Sequence, residues 1–265
     1  MFDLGHDQAA GLRGTPATGG AVLMPVASPA QPARAYEVLC TLAVQLEQLG
    51  RCPVILDASA SEAPTRRERG GAHLGLLHAL QDPSIGQLER PAGGGDWLVM
   101  PAALGLQTLQ QTARAAGAQV ALSRLLAPFG DQATVLLFAP ATAIAALLAG
   151  LDTRALVPVI NQPQSSIDAY GALKLLLGAG LSPVLAPLPE PDGAVPLQKV
   201  VDAVADCAER HLASPVEIWS AAGWGLRVQE CALGRPLRRD RRAAAGLHLN
   251  TPDAPRAREA RFDWS

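Results

Sequence analysis

Apolar positions follow two alternating rhythms along the chain. Ala21 to Val26 is a short, unbroken apolar run closed by Ser28 and Pro29, whereas Ala35 to Leu49 sets Leu39, Leu42, Ala43, Leu46 and Leu49 at helical spacing. A strand, a loop and a helix are expected in that order. Gly50 stops the helix, and Pro53 to Leu56 reads as a second apolar strand ending on Asp57. The alternation continues with strands expected at Trp97 to Met100, Thr134 to Phe138, Leu156 to Ile160 and Pro183 to Ala186. Helices are expected at Leu104 to Ala116, Ala141 to Ala149, Ser166 to Leu177 and Leu197 to Leu212. Strands joined through helices in this way predict an α/β fold of three layers, a mostly parallel sheet with helices on both faces. Ala63 to Arg69 and Pro91 to Gly95 interrupt the pattern and are expected as surface loops, the second because its three glycines favour neither helix nor strand.

Composition sharpens this picture. With 265 residues, 49% of them hydrophobic and 17% charged, the chain can bury one sizeable core, which the periodicity places in residues 20–234. From Arg235 onward eight arginines and several prolines replace the aliphatic pattern, so residues 235–265 are expected as a flexible, Arg-rich tail. A formal net charge of −2 gives no whole-chain signal for nucleic acid. Cys40, Cys52, Cys207 and Cys231 are far apart, with no CxxC pair, and are expected as buried free thiols in a reducing compartment. The amino terminus carries Asp3 where a signal peptide would be basic, and no apolar run reaches the ~18 residues of a membrane span. A soluble, cytoplasmic protein is expected. In the tail, Phe262 and Trp264 among arginines are candidate anchors for a membrane surface.

Ordinary catalytic patterns are scarce. There is no GxSxG nucleophile elbow. Of His6, His73, His78, His211 and His248, only His73 and His78 are near one another, and five residues is the wrong spacing for a shared helical face. No metal site is expected. Asp57, at a strand end, suits a turn cap, and Asp168 suits the first turn of a helix.

Particular segments carry a resemblance. LEQLGRCPVILDAS, Leu46 to Ser59, resembles the helix end, turn, second strand and acidic switch of the MinD/ParA class of deviant-Walker P-loop ATPases. DAYGALK, Asp168 to Lys174, resembles the segment that opens a helix in the MinD branch, with Gln162-Pro163 where that branch has Glu-Pro. Ahead of the first strand, Asp7, Gln8, Ala9, Leu12 and Arg13 match the DQAxxLR segment of the FlhG (FleN) flagellar-number regulators. The resemblance spans Asp7 to Leu212 and divides the chain into a peptide (1–19), a MinD-like domain (20–234) and the tail (235–265).

The likeness fails at the nucleotide loop. In this class a KGGVGKS/T turn follows the first strand; its glycines let backbone N–H groups close on phosphates, its lysine offsets their charge, and its hydroxyl meets magnesium. Counted back from Gly50, that turn falls on Ala30 to Tyr36, AQPARAY. Gln31, Pro32 and Arg34 stand at the glycines, Ala35 at the lysine and Tyr36 at the hydroxyl, with Ala30 at the first position. The only lysines are Lys174 and Lys199. Asp57 keeps the acidic switch position but Ser59 replaces its acidic partner, and Phe138 stands in LLFAPAT where the class has a second acid. Losing the charge-assisted contacts to a triphosphate predicts a pseudo-ATPase, not an enzyme, with no cofactor.

What the resemblance implies for function centres on Asp7 to Arg13. In that family the segment docks as a short helix on the signal-recognition-type GTPase FlhF and stimulates its GTP hydrolysis. Gln and Arg are the side chains GTPase activation commonly uses, one to orient water and one to offset phosphoryl charge. The implied output is control of flagellar number or placement, at the cell pole or the inner membrane face, with basal-body or transcription-regulator proteins as further partners. Two alternatives stand beside it: weak ATP and magnesium binding through an altered loop, and a non-enzymatic adaptor using the domain surface. Oligomeric state is open, since ATP drives dimerisation in this class.

Overall fold

The run VLMPVAS is apolar on both of its faces, and in the computed structural model it is the central strand β1 (Val22–Ser28). The structure describes residues 20–30, 32–62, 75–88, 97–188 and 196–234, all within one compact unit, Met1–Arg235. After β1 come α1 (Pro32–Gln48), β2 (Cys52–Asp57), α2 (Leu76–Gln81), β3 (Leu98–Pro101), α3 (Ala103–Ala116) and α4 (Ala118–Leu126). Then follow β4 (Ala133–Pro140), α5 (Ala141–Leu148), β5 (Arg154–Val159), α6 (Pro163–Gly178), β6 (Ser182–Pro187) and α7 (Leu197–Leu212). A two-residue β7 (Glu217–Ile218), a 3₁₀ turn (Ala221–Gly223), α8 (Trp224–Cys231) and β8 (Leu233–Gly234) complete the described chain.

Seven strands lie parallel in the order β3-β2-β4-β1-β5-β6-β7, and β8 pairs antiparallel with the start of β1. The strands alternate sides residue by residue, so each run feeds two cores. Met24, Val26, Ile55, Leu136 and Phe138 face α1 and α8, packing against Val38, Leu39, Leu42, Trp224 and Val228. Leu23, Ala27, Val54, Leu56, Val135 and Leu137 face the opposite layer, built from α2 to α7. The three-layer α/β fold expected from the sequence is therefore the fold observed. Six strands and five helices fall where the pattern put them, with ends shifted by a few residues.

The differences have local causes. α1 starts at Pro32 rather than Ala35, and α6 at Pro163 rather than Ser166; in both, proline occupies the first helical position, where its missing N–H costs nothing. α2, α4, α8, β7 and β8 have no counterpart in the expected elements. α4 follows α3 directly because Gly117, at φ 92°, turns the chain where a side chain would be strained. The thiols are not buried: Cys40 is exposed and Cys52, Cys207 and Cys231 are half-buried, none of them in a disulfide. The expected loops at Ala63 to Arg69 and Pro91 to Gly95, the peptide bearing Asp7, Gln8, Ala9, Leu12 and Arg13, and the tail from Arg235 lie outside the described residues. Among the described residues no helix is long and apolar enough to cross a membrane.

Candidate functional site

In a sheet of this order the connection leaving β1 runs to one side, toward β2, and the connection leaving β5 runs to the other, toward β6. The crevice between the carboxyl ends of β1 and β5 is thus the topological switch point, where open α/β sheets take ligands. A shallow pocket lies there, lined by Pro29 and Ala35 on one side and Pro158, Ile160, Gln162 and Asp168 on the other.

Two carboxylates flank the β1–α1 turn. Asp57 ends β2 and is 9% exposed. Its Oδ1 accepts the backbone N–H of Ser59 at 2.9 Å and the Ser59 hydroxyl at 2.6 Å, which is the turn-capping role its position suggested. Its Oδ2 accepts the Tyr36 hydroxyl at 2.8 Å, a contact across 21 residues. The Tyr36 ring stands edge-on to Phe138, centroids 5.4 Å apart and planes at 78°, and Phe138 is wholly buried between β1 and β2. Burial, the hydrogen bond to Asp57 and the charge of Asp57 raise the Tyr36 phenol well above its ordinary value.

On the other side of the turn, Asp168 sits in the second turn of α6, not in the first, because α6 begins at Pro163. Its Oδ2 accepts the backbone N–H of Ala30 at 3.3 Å, and its Oδ1 accepts Gln164 Nε2 at 2.9 Å. Ser165 fixes the end of β5 by accepting the Ile160 N–H at 3.0 Å. Of the positions aligned with the nucleotide turn, Ala30 faces Asp168, Pro32, Arg34, Ala35 and Tyr36 lie in the first turns of α1, and Gln31 lies outside the described residues. Arg34 is exposed and pairs with Glu37 at 2.7 Å.

The sequence resemblance implies magnesium triphosphate at this turn, contacted by these residues. They do not fit its usual binding mode. The phenol of Tyr36 already fills Oδ2 of Asp57, an internal carboxylate already takes the Ala30 N–H, and Lys174 and Lys199 sit on exposed faces of α6 and α7. Among the described residues, no three His, Cys, Asp or Glu side chains gather closely enough to hold a metal ion.

One buried carboxylate escaped the sequence reading. Glu62, 7% exposed, accepts the N–H of Leu77 at 2.6 Å through Oε1, and those of Leu104 at 2.6 Å and Gly105 at 2.9 Å through Oε2. It joins the chain after β2 to the amino-terminal turns of α2 and α3, where a negative charge is favoured. No sequence signal marks it, because its partners are backbone groups 15 to 43 residues away.

No protein-family model matches the chain, and no curated protein does. Among solved structures it is similar to an ATP complex of a Cyanothece McdA variant, at 14% identity over 80% of this chain and 90% of that one, with a TM-score of 0.48. It is also similar to the MinC:MinD cell division protein complex of Aquifex aeolicus, at 12% identity over 74% and 79%, TM-score 0.45. A third is the cobyrinic acid a,c-diamide synthase of Mycobacterium smegmatis with bound ADP and magnesium, at 14% identity over 81% and 98%, TM-score 0.47. These likenesses concern the fold alone, a parallel sheet with helices on both faces. They correct the expectation that the chain is not an enzyme. The similar structures include a synthase and complexes with ATP and with ADP and magnesium.

Proposed function

We propose that this chain is an FlhG-like regulator of flagellar number or placement, which stimulates an FlhF-type GTPase through Asp7 to Arg13. The observation that carries this reading is the sequence match of Asp7, Gln8, Ala9, Leu12 and Arg13 to the activator segment, just ahead in the chain of the central strand of the α/β domain. Seven residues separate Arg13 from Ala21 in the sequence. Gln8 and Leu12 are one helical turn apart, which lets a polar group and an apolar anchor meet the GTPase together. The α/β domain then acts as carrier or localiser.

The test is GTP turnover by the cognate GTPase with the full chain, with Gln8→Ala, and with the first fourteen residues removed. Stimulation by the full chain that both variants lose supports the reading; equal turnover in all three overturns it and favours an adaptor acting through the domain surface. A second reading, ATP engagement through the altered turn, draws on the pocket at the switch point. Its mark is a rise in melting temperature with ATP that depends on magnesium.

A further inference from the structure

We infer that the arginine cluster of residues 235–242 is a second docking element for the protein that takes the Asp7 to Arg13 segment, and that it binds an acidic surface on that protein. The inference rests on the regulator reading above. Both segments lie outside the described residues, but the residues that carry them do not. Gly234 pairs antiparallel with Val22, and Leu233 with Leu23. α8, fastened to α1 through Gln45 and the buried Trp224, delivers β8 to that position. Ala21, which leads back to the peptide, and Gly234, which leads on to the arginines, therefore stand on neighbouring strands at the amino end of β1. The switch-point crevice begins at Pro29, past the other end of this seven-residue strand, about 20 Å along it. The crevice and the two points of attachment are at opposite ends of the sheet.

Charge along the sequence divides at this junction. RPLRRDRR, residues 235–242, holds five arginines and one aspartate directly after β8. Residues 235–265 carry eight arginines against four acids in a chain whose formal net charge is −2, so everything ahead of the tail is net acidic. Residues 1–14 hold two aspartates and one arginine, and the peptide brings no net positive charge of its own. A partner with an acidic face is repelled by the rest of the chain and drawn by this cluster. Arginine suits the task, because its planar guanidinium pairs with a carboxylate through two parallel bonds. Leu237 is the cluster's one large apolar side chain, so the cluster lacks the apolar face with which basic segments lie in a bilayer surface, and a protein is the better match. Two short elements carried at ladder neighbours raise each other's effective concentration on one partner, and two weak contacts then add to a firm one.

The test uses the full-length protein and the cognate FlhF-type GTPase, with affinity read by titration calorimetry and GTP turnover read alongside. Wild type is compared with a variant combining Arg238→Ser, Arg239→Ser, Arg241→Ser and Arg242→Ser, and with a chain carrying about 20 Gly and Ser residues between Gly234 and Arg235. No residue of the described fold is altered, so all three are expected to melt together. The arginine variant is expected to bind at least tenfold more weakly than wild type at low salt, with the difference closing as salt screens it. Its plateau of stimulated turnover is expected to match wild type, because Gln8 is untouched. The insert is expected to weaken binding about threefold or more by diluting one element relative to the other. Unchanged affinity without the arginines overturns the inference, and an insert that binds as wild type does overturns the shared placement. Tighter binding without the arginines also overturns it, by assigning the cluster to the chain's own acidic surface. So does arginine-dependent binding to phosphatidylglycerol vesicles with no change toward the GTPase. Stimulation that needs Gln8 but not the arginines leaves the regulator reading standing alone; a wild-type chain that does not bind the GTPase overturns both.

Discussion

Oε2 of Glu62 accepts the backbone N–H of Leu104 at 2.6 Å, and this bond ties the chain after β2 to the first turn of α3. The same carboxylate holds Gly105 and Leu77, so one side chain satisfies three N–H groups at the starts of two helices. Such donors have no partner within their own helix. Glu62→Gln keeps the shape but turns an amide N–H₂ toward at least one of them. Bonds to a charged acceptor contribute about 1.5–3 kcal/mol, so Glu62→Gln is expected to lose roughly that much stability. A lower urea midpoint at unchanged slope checks it.

Gly105 is confined by its neighbours rather than by its backbone angles. A Cβ there would stand 2.6 Å from Leu76 Cγ and 2.8 Å from the backbone nitrogen of Leu77, and the nitrogen cannot move without shifting α2. Gly105→Ala is therefore expected to destabilise by about 1–3 kcal/mol. Gly171, inside α6, has nothing within 4 Å of its added Cβ. There the same substitution is expected to stabilise by about 0.5–1 kcal/mol, through helix propensity and a less flexible unfolded chain. Thermal melts of the two variants, run together, should move in opposite directions.

Gln45 fastens α8 to α1. Its Oε1 accepts the Gly225 N–H at 2.7 Å and its Nε2 donates to the Ala221 carbonyl at 2.7 Å. Gln45→Leu removes both partners while retaining bulk, leaving two backbone groups unmatched in a partly buried seam. Each unmatched group costs about 1–3 kcal/mol, so a loss of roughly 2 kcal/mol or more is expected. Because Trp224 is fully buried on α8, loosening the seam should also shift tryptophan emission to the red.

The layered fold was legible because buried parallel strands read as apolar runs, as in VILD of β2 and LLFA of β4, while α1 shows its stripe plainly in Leu39, Leu42, Ala43 and Leu46. β7 and β8 were not, since two residues carry no rhythm. At the site, Asp57 and Asp168 could be picked out as acids, yet neither contact across the turn could. Tyr36 meets Asp57 only because β2 and β4 register Asp57 against Phe138, and Asp168 meets Ala30 only because α6 starts at Pro163. Sequence displays which residue types stand in a turn. What they contact is decided by register and helix start, which are tertiary facts.

The Tyr36 phenol gives the turn a signature in alkali. Burial, then the bond to Asp57 and its charge, raise the phenol above its ordinary value near 10, so the folded chain keeps this proton to higher pH than the unfolded chain does. Below about pH 10 both states hold the proton and the contribution is fully present. Above it the unfolded state sheds the proton first, so stability falls as pH rises toward the folded value. Tyr36→Phe has no proton to lose there. The advantage of wild type over Tyr36→Phe in urea unfolding should therefore be constant from pH 7 to 9.5 and shrink above pH 10. A difference that stays flat to pH 11 would show that the phenol is not held by Asp57. Absorbance near 295 nm supplies the direct count, since of the two tyrosines, Tyr36 and Tyr170, Tyr36 should resist ionisation until the chain unfolds.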